Sequence, residues 1–123
     1  MRYVELAGTD LCVSAICLGT GALGSTVPQR EAFELLDLFL DLGGNFLDSA
    51  KVYADWLPGE RSISEKTIGR WMRSRAVRDR VIVATKGAHP ELATMDVQRL
   101  SPEEIVSDLD ASLHSLQVGT IDL

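Results

Sequence analysis

The sequence predicts an α/β fold with a parallel sheet, and two observations support this. Segments with strand character alternate with segments of helical periodicity along all 123 residues. Each strand and its following helix fill roughly the thirty residues or more that a right-handed parallel crossover needs. The segment Val81-Ile82-Val83-Ala84 is continuously apolar, as expected of a parallel strand buried on both faces. No low-complexity linker divides the chain, so residues 1–123 are interpreted as part of one domain.

An antiparallel hairpin is predicted to open the chain. Residues 3–6 and 11–18 are extended runs on either side of a short turn, in which Gly8 can adopt the positive φ of a tight turn. The second run leads into Gly19-Thr20-Gly21, where small residues allow a ligand to approach the backbone. This segment lacks the spacing Gly-x-Gly-x-x-Gly of a dinucleotide-binding turn, so an ordinary turn is an equal alternative.

The first helix is predicted to begin near Pro28, a residue that suits a first helical turn, and to stop at Gly43. Its apolar residues recur at helical spacing; they are Ala32, Leu35, Leu36, Phe39 and Leu42. Residues 45–49 then form a strand. Residues 50–61 form a loop of a length that is often used for binding.

Two further helices are each predicted to begin with a capping box. Ser62 and Glu65 predict the start of the second helix, and Ser101 and Glu104 that of the third, with proline at its first helical position. The buried stripes are predicted to hold Ile68, Trp71 and Met72 in the second helix and Ile105, Leu109, Leu113 and Leu116 in the third. Residues 121–123 have the pattern of a fourth strand that is just beginning, so we expect more residues downstream.

Composition restricts the binding partners and the cellular location that can be expected. The net charge of −6 argues against non-specific binding to nucleic acid or to an anionic membrane surface. No run approaches the roughly 18 apolar residues of a membrane span, and residues 1–5 lack the apolar run of a signal peptide, so a cytoplasmic location is expected. Cys12 and Cys17 are interpreted as small buried hydrophobic residues, with a disulfide or a reactive thiol as alternatives.

Two ionisable side chains stand at the ends of predicted parallel strands. Asp48 ends one strand and Lys86 ends the next. Because parallel strands present their C-terminal ends on one face and neighbouring strands lie about 4.8 Å apart, we expect these side chains to lie together. Helix capping does not explain Asp48, since the next helix begins only at Ser62. A solvated loop aspartate, with Tyr53 packed beneath the loop, is the alternative.

Tyr53 lies in the loop after Asp48 and can reach the same place. A carboxylate beside Lys86 would keep the lysine charged, and an ammonium group in contact with a phenol favours the phenolate. Trp56, in the same loop, is expected either to wall a substrate pocket or to pack under the loop. The convergence of Asp48, Tyr53 and Lys86 therefore indicates proton-transfer chemistry.

Segments along the whole chain, in order, carry a resemblance to a known family. They are Val13-Ser14 with Leu18 to Gly21, Gly44 to Ala50 with Tyr53, Ser64-Glu65 with Ile68-Gly69 and Trp71, Val81 to Lys86, and Ile121 to Leu123. The sequence resembles the aldo-keto reductase family, NADP(H)-dependent oxidoreductases on a (β/α)8 TIM barrel. The resemblance implies that residues 1–123 are the N-terminal part of one such barrel: a hairpin, strands 1 to 3 with helices 1 to 3, and the start of strand 4.

The resemblance also implies a reaction. An aldehyde or ketone is reduced to an alcohol by hydride transfer from NADPH, and a catalytic Asp, Tyr, Lys and His serve the transfer. Asp48, Tyr53 and Lys86 match the first three positions, with Tyr53 as the general acid. The residues expected to bind the cofactor, at its nicotinamide end, are Gly19, Thr20, Gly21 and Asp48.

The family's histidine follows the Ile-Asp-Leu of strand four, so it is expected after Leu123. Neither His89 nor His114 is expected to replace it, and residues 1–123 alone are expected to turn over little. Two other functions remain open: a noncatalytic cofactor-binding regulatory subunit, or a small open α/β nucleotide-binding module. The substrate's identity, the choice between NADPH and NADH, and the oligomeric state are not specified by the sequence.

Overall fold

A two-stranded hairpin precedes a three-stranded parallel sheet in the computed structural model, which describes residues 1–123. Strand β1 (Tyr3–Glu5) pairs antiparallel with β2 (Cys12–Ser14). Strands β3 (Cys17–Gly19), β4 (Phe46–Asp48) and β5 (Ile82–Ala84) lie side by side in that order, all parallel. The predicted α/β class with a parallel sheet is confirmed, and the sheet does not close into a barrel.

The run predicted over residues 11–18 is two strands rather than one. The chain bends after Ser14, whose hydroxyl donates to the carbonyl oxygen of Ile16 at 2.7 Å. The side chain of Asn45 holds this bend, since its Oδ1 accepts from the Ser14 N–H at 2.6 Å and its Nδ2 donates to the Cys12 carbonyl at 3.0 Å. Residues 11–18 therefore contribute one strand to the hairpin and one to the parallel sheet, and the hydrogen bonds of Asn45 connect the hairpin to the start of β4.

Three helices pack against one face of the parallel sheet. They are α1 (Gln29–Asp41), α2 (Ile63–Arg75) and α3 (Pro102–Leu116). Helix α2 lies in the middle and contacts both of the others. The core holds Leu36, Leu47, Ile68, Trp71, Met72, Val83 and Leu116. The predicted inner face of α2 (Ile68, Trp71 and Met72) is thus confirmed.

The expectation that β5 is buried on both faces was wrong. Val83 is buried, but its neighbours Ile82 and Ala84 are only half-buried. Successive side chains of a strand point to opposite faces, and β4 shows the same pattern around buried Leu47. The helices therefore cover one face of the sheet, and the other face, which carries Asp48, stays accessible.

The outer helices are less buried than predicted. In α3, Ile105 and Leu109 are 49% and 46% exposed, and Leu42, the C-cap residue of α1, is 64% exposed. Both helices have a helical neighbour on one side only, α2. Of the four residues predicted to be buried in α3, Leu116 is buried as expected, and the other buried residues of the helix are Asp108, Ser112 and Ser115.

Only one of the two predicted capping boxes exists. Ser101 and Glu104 form theirs, with bonds of 3.3 and 3.1 Å. Ser62 makes no side-chain cap; its own N–H donates to Asp55 Oδ1 at 2.7 Å. Glu65 is unavailable for capping because its carboxyl group is buried and accepts a bond from Thr85.

Both cysteines are exposed and free, so their interpretation as buried hydrophobic residues was wrong. Cys17 belongs to β3, next to the uncovered face of the sheet, and Cys12 lies in the exposed part of the hairpin. No helix in the structure combines the length and the apolarity needed to cross a membrane.

Residues 121–123 run alongside β5, as predicted for the start of a fourth strand. The Leu123 N–H donates to the Val83 carbonyl at 3.3 Å, and the Leu123 carbonyl accepts from Thr85 at 3.1 Å. The carboxylate of Asp122 accepts from the Val83 N–H at 2.8 Å and also pairs with Arg78. The segment thus extends the parallel arrangement by backbone and side-chain bonds together.

Candidate active site

The candidate site lies at the C-terminal ends of the parallel strands. Asp48 is the last residue of β4, in register with Gly19 of β3 and Ala84 of β5. Lys86 follows two residues after β5, and its carbonyl accepts a bond from the Lys51 N–H at 3.0 Å. Tyr53 stands on a series of turns that folds back over the strand ends.

The structure brings Asp48, Tyr53 and Lys86 together, as the sequence predicts. Lys86 Nζ lies 2.6 Å from Asp48 Oδ1 and 3.2 Å from Tyr53 Oη. Its third bond, at 2.7 Å, goes to the Ser49 carbonyl, so all three ammonium N–H groups have acceptors. Tyr53 Oη in turn donates to Asp48 Oδ2 at 3.2 Å. The phenol oxygen thus accepts from the ammonium group and donates to the carboxylate.

The cluster keeps Lys86 charged. Partial burial lowers the pKa of Lys86, but its hydrogen bonds to Asp48 and Tyr53 outweigh burial and raise the pKa above its ordinary value. The ammonium group also lies 4.9 Å from the centre of the Tyr53 ring. About half of the Lys86 side chain is exposed. A fixed positive charge therefore stands beside a phenol that a ligand can reach.

Three buried hydroxyl groups support Asp48 from behind. The Thr20 hydroxyl donates to the Asp48 carbonyl at 2.9 Å, and the Thr20 N–H donates to the same oxygen at 3.0 Å. Ser64 Oγ lies 2.9 Å from Thr20 Oγ1 and 3.2 Å from Ser49 Oγ. Thr20, Ser49 and Ser64 have no exposed surface. Such a polar network fixes positions because every member has partners.

This supporting network was not predicted from the sequence. The sequence indicates cofactor binding alone for Thr20, whereas its side chain points into the protein. The clue available in the sequence is that small hydroxyl residues directly follow two apolar strands, as Thr20 and Ser49 do. The bonds that join them run through Ser64, which lies in α2.

The segment Gly19-Thr20-Gly21 borders the uncovered side of the site. A Cβ atom at Gly19 would meet nothing within 4 Å, so space for a ligand lies in front of this backbone. Gly21 lies under the Tyr53 ring, where a Cβ atom would come 3.8 Å from the ring. The cofactor-binding role of these residues stays a prediction.

Other residues considered from the sequence lie outside the cluster. His89 Nδ1 lies 2.6 Å from the Pro90 carbonyl, and His114 is an exposed residue of α3. Trp56 is 57% exposed, so the expectation that it packs under the loop was wrong. No group of three His, Cys, Asp or Glu side chains is arranged to hold a metal ion.

Residues 15–123 match the model of the aldo/keto reductase family. Over 94 residues the chain is 42% identical to an aryl-alcohol dehydrogenase [NADP(+)] of Phanerodontia chrysosporium, an alignment that covers 69% of this chain and 23% of that protein. It is 35% identical to the uncharacterized oxidoreductase YrpG of Bacillus subtilis, covering 100% of this chain and 39% of that protein.

A solved structure is similar over nearly the whole chain. The putative aldo-keto reductase from Pseudomonas aeruginosa superposes with a TM-score of 0.80 at 30% identity, covering 97% of this chain and 44% of that one. The chain therefore spans less than half of the length of the proteins it matches.

Proposed function

The chain belongs to the aldo/keto reductase family, and from this premise we propose that the whole protein is an NADP(H)-dependent oxidoreductase that reduces an aldehyde or ketone to an alcohol. Similarity to oxidoreductases, including an aryl-alcohol dehydrogenase named for NADP(+), supports the reaction class and the cofactor. The observation that carries the proposal is the bonded cluster of Asp48, Tyr53 and Lys86 on an accessible face.

Tyr53 is the proposed general acid. Its hydroxyl bond to Asp48 is long at 3.2 Å, so an incoming carbonyl oxygen can replace the carboxylate as acceptor. When that oxygen gains negative charge, Tyr53 gives it the proton, and the phenolate that remains lies beside the Lys86 ammonium group. Lys86 thereby stabilises the charged form of the acid, and Asp48 holds Lys86 in place.

NADPH, when bound, would supply the hydride that reaches the carbonyl carbon. The residues of this chain fit its nicotinamide end, because Gly19 presents open space beside Asp48. Gly19 and Gly21 would contact the cofactor through their backbone. Thr20 would act through its backbone too, since its hydroxyl is used inside the protein.

Residues 1–123 are proposed to be the N-terminal part of a single barrel domain in a cytoplasmic protein. Three parallel strands cannot close a barrel, and one face of the sheet stays uncovered. We expect this chain alone to turn over little, so activity is measured on the intact protein.

The test is the oxidation of NADPH by the intact protein with a panel of aldehydes and ketones. We expect Tyr53→Phe to lower turnover by roughly 100-fold or more and to leave the binding of NADPH, followed by fluorescence, near normal. Tyr3→Phe is the matched control, because Tyr3 lies in β1 and bonds to the Gly43 carbonyl. Full turnover by Tyr53→Phe would remove Tyr53 from the reaction.

A further inference from the structure

A carboxylate is buried in α3 where the helical pattern calls for an apolar residue. Asp108 is only 2% exposed, while the apolar residues Ile105 and Leu109 beside it are about half exposed. Removing a carboxylate from water is expensive unless it gains strong partners. The orientation of α3 therefore depends on what Asp108 binds.

Asp108 is bound by two cations and one backbone N–H. Its Oδ1 accepts from Lys51 Nζ at 2.8 Å and from Arg99 at 2.9 Å. Its Oδ2 accepts from Arg99 at 3.0 Å and from the Ala88 N–H at 2.8 Å. Burial alone would raise the pKa of Asp108, but these bonds lower it to about 2. The group is an anion at every pH at which the protein would be assayed.

Two partners of Asp108 are directly connected to the backbone of Lys86: Lys51 by a hydrogen bond, and Ala88 along the chain. The Lys51 N–H donates to the Lys86 carbonyl at 3.0 Å, and the Lys51 side chain reaches Asp108. Ala88 follows Lys86 by two residues and has φ +60°, a left-handed conformation that alanine rarely adopts. At Gly87, a Cβ atom would lie 3.0 Å from Asp108 Cβ. The chain thus turns sharply after Lys86 and packs directly against Asp108.

We propose that Asp108 is a positioning residue that fixes the backbone at Lys86 and thereby places its ammonium group against Tyr53 Oη. Its hydrogen bonds and ion pairs go to Lys51, Ala88 and Arg99, and not to Tyr53 or Asp48. The proposal rests on the proposed function, in which the 3.2 Å contact between Lys86 Nζ and Tyr53 Oη matters for proton transfer. The Lys86 side chain is long and half-exposed, so its place depends on where its backbone is held.

Asp108→Asn tests the proposal in the intact protein. The amide keeps the size of the carboxylate but loses its charge and one acceptor, which loosens Lys51, Arg99 and Ala88. Because a displacement of about 1 Å can cost up to 100-fold in rate, we expect kcat to fall by roughly 10- to 100-fold. We expect KM and NADPH binding to change little. Asp110→Asn, an exposed aspartate of the same helix, is the control and should retain full kcat.

A second measurement does not depend on catalysis. In the NMR spectrum we expect the nuclear Overhauser contact between the Lys86 side chain and the Tyr53 ring in the unmodified protein. We expect it to weaken or vanish in Asp108→Asn and to persist in Asp110→Asn. If Asp108→Asn fails to fold, Lys51→Met removes one bond to Asp108 and keeps the backbone bond to Lys86, and a smaller change of the same kind is expected.

The outcomes separate the two proposals. Retention of the Lys86–Tyr53 contact in a folded Asp108 or Lys51 variant would overturn the positioning role, whatever the enzyme's reaction. Full turnover by Tyr53→Phe, measured beside them, would overturn the general-acid role of Tyr53 alone, and the absence of NADPH-dependent reduction by the unmodified protein would overturn the proposed function alone. A fall in kcat that only follows the fraction of folded protein would also refute positioning, since a purely structural residue acts that way.

Discussion

Replacing the buried carboxyl group of Glu65 by an amide gives a sharp test of the electrostatics behind the site. Glu65 has no exposed surface. Thr85, the residue before Lys86, donates to its Oε1 at 2.7 Å, and its Oε2 has no hydrogen-bond partner. Burial raises the pKa of Glu65 and outweighs the opposing effects of the Thr85 and Ser112 hydroxyl groups. Glu65→Gln keeps the acceptor for Thr85 and cannot ionise.

The sign of the effect follows from proton linkage. Below the unfolded-state pKa of about 4.3, Glu65 is protonated in both the folded and the unfolded protein. Above it, the unfolded state ionises first, so unmodified protein loses about 1.4 kcal/mol of stability per pH unit until the pH passes the raised folded-state pKa. Glu65→Gln avoids this loss. Its advantage in unfolding free energy should be near zero at low pH, rise through this window and then level off.

The assay is urea unfolding of both proteins over a series of pH values. Other titrating groups are common to the two proteins and cancel in the difference. Glu5→Gln, at an exposed position of β1, is the control and should show a difference near zero throughout. A Glu65→Gln difference that stays constant, or that falls as the pH rises, would rule out a raised pKa for Glu65, because it would mean that Glu65 ionises at least as readily inside the protein as outside.

Two further predictions concern helix packing and the hairpin. Gly69→Ala should destabilise the protein by about 1–3 kcal/mol, because a Cβ atom there would lie 2.6 Å from the Leu116 carbonyl oxygen. Gly119→Ala is the control: nothing lies within 4 Å of a Cβ atom there, so its unfolding free energy in the same urea titration should change by no more than about 0.5 kcal/mol. Equal midpoints would contradict the close approach of α2 and α3. Asn45→Ala should lower the free energy of unfolding by about 1–3 kcal/mol. It should also speed hydrogen exchange at the Ser14 amide, which donates to Asn45. Unchanged exchange would show that this bond does not hold the hairpin.

The parallel sheet and the convergence of Asp48, Tyr53 and Lys86 were predictable from the sequence. Strands and helices alternate, and parallel strands end on one face, so Asp48 and Lys86 had to emerge as neighbours if their strands paired. The register of β4 and β5 brings the two side chains close, because Asp48 pairs with Ala84, two residues before Lys86. Whether Tyr53 contacts Asp48 and Lys86 depended in addition on how the loop folds.

The buried polar groups could not be predicted in the same way. Helical periodicity assigns apolar residues to the inside, so it placed Ile105 and Leu109 in the core and overlooked Asp108. The partners that make burial of Asp108 favourable, Lys51 and Arg99, come from two separate loops. Glu65 failed as a capping residue for the same reason, because Thr85 of another segment holds its carboxyl group.

Asp48 and Tyr53 keep Lys86 charged beside the phenol, and the pKa of Lys86 reports this effect. Side-chain NMR of the intact protein should show Lys86 titrating above the ordinary value of about 10.4, as its bonds to Asp48 and Tyr53 require. In Asp48→Asn the pKa should fall. A Lys86 pKa at or below the ordinary value, unmoved by Asp48→Asn, would show that neither Asp48 nor Tyr53 stabilises the charged lysine.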